Sequence, residues 1–387
     1  MSEPGRGLRG LLDGARIIVC LGPGGVGKTT TAASLAVAAA SEGRRVAVLT
    51  IDPAARLKDA LELPPTPGEL RAVPLGVETT GSLHAILLDA KGLFDDLVRR
   101  LSPNELVAER ILANPVYGNV AGAFAGSDAY MALEQLLDIA ADERFDLIVV
   151  DTPPASHALE LFDAPRRILS LLESRALEYL AEPLRLLGAA SSFLSRGLLA
   201  GVLRGLERLT GLSLLQDVSD LAEAFTDVAP AFRSRARRIE ELLRAPTTRF
   251  LLATAPDPHA GEDLAAFAHE LAGSNVRCSA VVVNRVFEAP RTRPRSVRNE
   301  PAALKAWDAT LSRKLVACAR DLDSLQEGQE DLLARLRETL EASGALVDGG
   351  AEWLLLPALS PAPTSLAGIL ELAEALRSGR LRQRGAA

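Results

Sequence analysis

Short apolar runs alternate along this chain with longer stretches in which apolar residues recur every three or four positions. The first run, Arg16–Leu21 (RIIVCL), lies between glycines and reads as a strand buried on both faces of a parallel sheet. Thr30–Ser41 is an Ala-rich helical pattern that Gly43 can cap, and Arg45–Ile51 is the next apolar run. Strand, loop, helix and strand in that order form a crossover unit, which is almost always right-handed. Further strand candidates are Leu83–Leu88, Asp146–Val150, Arg249–Thr254, Ala280–Asn284 and Trp353–Pro357. Helical patterns separate them, so the expected fold is α/β, a doubly wound, mainly parallel sheet.

Two stretches exceed what such a sheet needs. Phe94–Ala140 and Pro165–Arg244 read as helices without a strand between them. In the second, Leu194, Leu198, Leu199, Val202, Leu203, Leu206 and Leu209 follow helical spacing, a stripe long enough to suggest an exposed apolar surface. An inserted helical subdomain is therefore assigned to 94–140 and 165–244, with the core in 15–93, 141–164 and 245–375. A flexible N-terminus (1–14), a basic Pro-containing loop (Pro290–Pro301) and a basic tail (376–387) complete the organisation.

Composition narrows the function. The chain has 387 residues, 48% hydrophobic, with a net charge of −7 and 4% aromatic residues. An acidic balance and few aromatics disfavour nucleic acid as a partner. The three cysteines form no C-x-x-C pair, which argues against structural zinc and for a reducing cytoplasm. No secretory leader or uninterrupted membrane-length apolar run is evident.

Gly22-Pro23-Gly24-Gly25-Val26-Gly27-Lys28-Thr29 satisfies G-x-x-x-x-G-K-[ST] between an expected strand and an expected helix. The backbone N–H groups of such a loop curl around phosphates, aided by the helix N-terminus. Gly24, Gly25, Val26, Gly27, Lys28, Thr29 and Thr30 are the candidate nucleotide-binding residues. Lys28 is expected to reach the terminal phosphates and Thr29 to ligate Mg²⁺. Asp151 ends an apolar run beside this loop and can hold Mg²⁺, directly or through water. Asp52 ends the strand after the loop's helix, where a carboxylate can orient or deprotonate water. Asn284 is followed by Arg285-Val286-Phe287, with no carboxylate to accept the guanine N–H groups, which favours ATP over GTP.

These segments, with Leu49-Thr50-Ile51-Asp52-Pro53-Ala54, Asp151-Thr152-Pro153-Pro154-Ala155-Ser156-His157 and Val283-Asn284, resemble the ArsA/GET-type ATPases. That family comprises arsenical pump-driving ATPases and ATPases that target tail-anchored membrane proteins; Ile111–Pro115, Ala129–Ala132 and Leu161–Pro165 are similar to its bacterial branch. The resemblance spans roughly residues 15–290 and implies a P-loop NTPase fold of the deviant Walker A (SIMIBI) class. It also implies a water-activating role for Asp52 in switch I and a place near Mg²⁺ for Asp151 in switch II. His157 would be a conformational switch residue, Asn284 a base contact, and Pro357 the start of a loop covering the adenine. Implied partners are a second ATPase subunit, identical or paralogous, and a hydrophobic client or membrane protein. Pro23 stands where the family usually has a second lysine, which puts rapid turnover by the isolated chain in doubt. The cysteines match neither the zinc-clasped dimer nor the metalloid site, and one P-loop excludes the tandem form. A ParA/MinD-type positioning ATPase and a nucleotide-binding regulatory subunit are the alternative readings, with arsenite efflux behind them.

Overall fold

The computed structural model describes residues 7–51, 56–64, 66–76, 79–118, 128–154, 158–173, 212–257, 260–288 and 309–379. In chain order these form α1 (Leu8–Leu12), β1 (Ile17–Leu21), α2 (Lys28–Ser41), β2 (Arg45–Thr50), α3 (Arg56–Ala60), β3 (Arg71–Ala72) and β4 (Ser82–Leu87). There follow α4 (Ala90–Leu101), α5 (Glu105–Leu112), α6 (Asp128–Ala140), β5 (Leu147–Asp151), α7 (Glu160–Glu173) and α8 (Leu212–Arg244). The last elements are β6 (Thr248–Thr254), α9 (Ala260–Gly273), β7 (Cys278–Val286), α10 (Ala309–Ser343), β8 (Glu352–Pro357) and α11 (Leu366–Ser378).

The strands make one eight-stranded sheet in the order β3-β4-β2-β5-β1-β6-β7-β8, parallel except for β3 against β4. This is the α/β architecture expected from the alternation of runs. Side chains of a strand alternate between faces, and both faces are covered. Ile17, Val19 and Leu21 of β1 enter one apolar core together with residues of α4 to α9; Ile18 and Cys20 enter the other with α1, α2, α3 and α11. An unbroken apolar run is the result. The small residues of α2, buried along most of its length, let it lie close to the sheet and against α11.

The helices read as an inserted subdomain, where described, are continuous with the first core: Phe94, Tyr130, Leu136, Phe225 and Phe232 bury beside Ile17 and Val150. Among them lies a charged network. Glu134 is fully buried, accepts from Tyr130 Oη at 2.6 Å and pairs with Arg235 Nε at 2.5 Å. Arg235 also pairs with Asp138 at 2.6 Å, and Arg100 meets the same carboxylate at 2.8 Å, so α4, α6 and α8 share one set of ion pairs. Burial pushes the Glu134 carboxyl above the usual range, while Tyr130 and Arg235 pull it back.

Two readings need revision, and one short strand carries no sequence signal. Residues 7–14 are not a loose lead-in: Leu8, Leu11 and Leu12 are buried, Arg44 donates to Leu12 O, and Arg249 donates to Leu11 O. The Gly- and Arg-rich composition hid three leucines that cover the sheet. The start of the basic tail belongs to α11, where Leu376 is buried. Exposed β3 carries no apolar signal and went unread. The Leu194–Leu209 stripe and Pro290–Pro301 lie outside the described residues.

Candidate functional site

The loop between β1 and α2 leaves the sheet at its carboxyl edge, between β5 and β6. Two of its glycines are required by close approach. A Cβ on Gly22, at φ 149°, would stand 2.3 Å from the Ala253 carbonyl oxygen of β6. On Gly27, at φ 91°, it would stand 2.1 Å from Asn284 Nδ2. Gly24 and Gly25 are exposed, and a Cβ on either would meet nothing within 4 Å. The loop is thus pinned at both ends and open in the middle.

Lys28 opens α2 with its side chain folded back into the loop, where Nζ donates to the Pro23 carbonyl at 2.8 Å in a buried position. Val26 is buried, and Thr29 and Thr30 are half-buried in the first turn. Asp151 ends β5 and lies in register with Cys20 on one side and Thr50 on the other. Thr50 Oγ1 donates to Asp151 Oδ2 at 3.2 Å, and the Ile51 amide donates to the Asp151 carbonyl at 3.0 Å. Thr152 Oγ1 donates to Cys20 O at 2.7 Å, tying the following turn to β1. Burial raises the Cys20 thiol far above its usual range; the Asp151 carboxylate adds to this and the Lys28 ammonium opposes it. Both charges therefore act on one buried sulfur, and Cys20 stays a neutral thiol.

Asn284, 4% exposed near the end of β7, bridges two backbones: Nδ2 donates to Val26 O at 3.0 Å and Oδ1 accepts from the Arg285 amide at 2.9 Å. The residue expected to contact a base is also the brace behind the phosphate loop. Pro357 ends β8 beside Val286, so the chain after it leaves the sheet at the same edge. Asp52 and His157 lie outside the described residues; their neighbours Ile51 and Ala158 are buried. Sequence reasoning missed Thr50, Thr152 and Cys20 as supports of Asp151. Their one signal was a polar or soft residue at the end of an apolar run.

This edge offers an open glycine-lined turn, a helix N-terminus, one buried ammonium and one buried carboxylate. Such an arrangement takes a phosphorylated ligand with its counter-cation. Residues 15–310 match the model of the anion-transporting ATPases. The chain is 26% identical over 330 residues to "ATPase ASNA1 homolog" of Cryptosporidium parvum, covering 84% of this chain and 79% of that protein. An uncharacterised protein of Streptomyces coelicolor is 31% identical over 273 residues, 70% of this chain and 63% of its own length. "ATPase get3" of Neurospora crassa is 29% identical over 160 residues, 41% of this chain and 46% of that protein. The match thus takes in less than two thirds of the second relative and less than half of the third.

Proposed function

The chain belongs to the anion-transporting ATPase family, and on that premise we propose that it is a Mg²⁺-dependent ATP-hydrolysing switch that acts in the cytoplasm. The observation that carries the reading is the exposed Gly24–Gly25 turn at the carboxyl edge of β1, with the Lys28 ammonium folded into the same loop and the Asp151 carboxylate at the end of the neighbouring strand. Incoming phosphate oxygens compete with Pro23 O for the Lys28 ammonium, and amides of the open loop and first turn of α2 complete the cradle. Thr29 and Asp151 fit a magnesium ion, the hydroxyl directly and the carboxylate through water. When bound, Mg²⁺ neutralises charge on the phosphates. Asp52 orients or deprotonates the attacking water.

ATP is favoured over GTP because Arg285 follows Asn284 in place of an acid. The Ile51 amide bonded to the Asp151 carbonyl links the strand ends that enter the two switch segments. A change at Asp52 or Asp151 is then passed through β2 and β5 to the helices on the same core, where a hydrophobic client or a membrane-protein partner is bound. The working unit is a dimer, with an identical or a paralogous ATPase subunit.

Calorimetric titration tests the nucleotide reading. ATP with Mg²⁺ binds the native chain, and Lys28→Ala, which removes the loop's one side-chain cation, weakens that binding at least about tenfold. Unchanged affinity in a folded Lys28→Ala protein overturns the assignment.

A further inference from the structure

The carboxyl end of β7 carries an arginine in a strained setting. Arg285 has φ 59°, in the left-handed region that side chains other than glycine enter at a cost. Its amide donates to Asn284 Oδ1 at 2.9 Å, while Asn284 Nδ2 holds Val26 O in the phosphate loop. On the other side Val286 is buried, and its carbonyl accepts from the Ala358 amide at 2.9 Å. Phe287 is fixed next: the Gln329 side chain of α10 accepts from its amide at 2.6 Å and donates to its carbonyl at 3.1 Å. The register of β7 on β8 shifts between Val283 and Val286, so Arg285 sits in a bulge pinned on both sides. Its side chain is exposed, and among the described residues no carboxylate pairs with its guanidinium. Backbone strain held in place from both sides clusters at ligand clamps.

Strand order decides which part of a ligand meets this residue. β5, which ends in Asp151, neighbours β1 on one side, and β6, β7 and β8 follow on the other. On the nucleotide reading, on which this inference rests, the terminal phosphates and Mg²⁺ turn toward Asp151. The sugar and base then run the opposite way, across β6 to the ends of β7 and β8. Asn284 offers that base little surface, being 4% exposed with both ends of its amide engaged. Arg285 stands one residue further out, about 3.8 Å along the chain. A guanidinium is planar, permanently charged and weakly hydrated, and it stacks on aromatic faces. We propose that Arg285 is a nucleotide-binding residue whose guanidinium stacks on the face of the purine base. Stacking reads the ring and not its exocyclic groups. Arg285 therefore adds affinity for the base as such.

Calorimetric titration of the full-length protein with ATP and with inorganic triphosphate, each with Mg²⁺, tests this. Arg285→Gly removes the guanidinium and takes a φ of 59° freely, so the fold is kept; urea denaturation checks that. The native chain prefers ATP to triphosphate, and in Arg285→Gly that preference falls at least about fivefold, within what a cation over an aromatic face supplies. An unchanged preference overturns the inference, whether both affinities stay as they were or both fall alike, since an equal loss assigns Arg285 to the phosphates or to the fold. The nucleotide reading survives that result if Lys28→Ala still weakens both ligands. A native chain that binds neither ligand, or a folded Lys28→Ala protein that binds both as before, overturns the nucleotide reading and the inference with it.

Discussion

Replacing Gly27 by alanine tests whether Asn284 braces the phosphate loop. The new Cβ would lie 2.1 Å from Asn284 Nδ2, far inside contact distance. Asn284 must swing away, breaking its bonds to Val26 O and the Arg285 amide. At about 0.5–1.5 kcal/mol net for each, that costs about 2 kcal/mol. Holding alanine at a φ of 91° adds about 1–2 kcal/mol. The expected destabilisation is thus about 3–4 kcal/mol, accompanied by weaker ATP binding because the Val26 carbonyl loses its tether. Asn284→Ala alone strands the buried Val26 carbonyl and the part-buried Arg285 amide and costs about 2–3 kcal/mol. The two changes share one cause, so the double variant should be about 2 kcal/mol more stable than the sum of the single effects. Urea denaturation of the four proteins measures the cycle. Additivity to within about 0.5 kcal/mol would refute the brace.

Pro23→Lys restores a cation at the loop entrance and should raise steady-state phosphate release at least about tenfold, well within the range such charges supply in trans; an unchanged rate rejects the trans-charge reading. Arg235→Ala leaves buried Glu134 without its cation and should cost about 3–5 kcal/mol in thermal or urea unfolding, whereas Glu134→Leu with Arg235→Met should cost far less. The Arg45 side chain and amide hold the Asp146 carboxyl at about 2, below its usual value, so the stabilisation is present above about pH 4 and is lost as pH falls toward 2. Asp146→Asn should flatten that acid limb by under about 1 kcal/mol, because both side chains are substantially exposed.

Legibility followed locality. The phosphate loop is contiguous, and its chemistry depends on backbone N–H groups and one lysine, so eight residues sufficed to recognise it. The strands were readable because a parallel sheet covered on both faces requires unbroken apolar runs, as in Ile17–Leu21 and Leu147–Asp151. The sequence by itself therefore determined the α/β class, the place of the glycine-rich loop between β1 and α2 and that of Asp151 at the end of β5. It did not determine what lies across a gap of hundreds of residues. Asn284 reaches Val26 only because β7 and β1 flank β6, and Thr50 reaches Asp151 only because β2 and β5 are neighbours. Arg249 and Arg44 capture α1 for the same reason. Nor do the leucines of α10 announce that Leu311, Leu315 and Leu325 are exposed and Leu336 and Leu340 buried, since a buried stripe and an exposed one have the same spacing. Burial depends on what other elements cover, and strand order and helix placement decide that only in three dimensions.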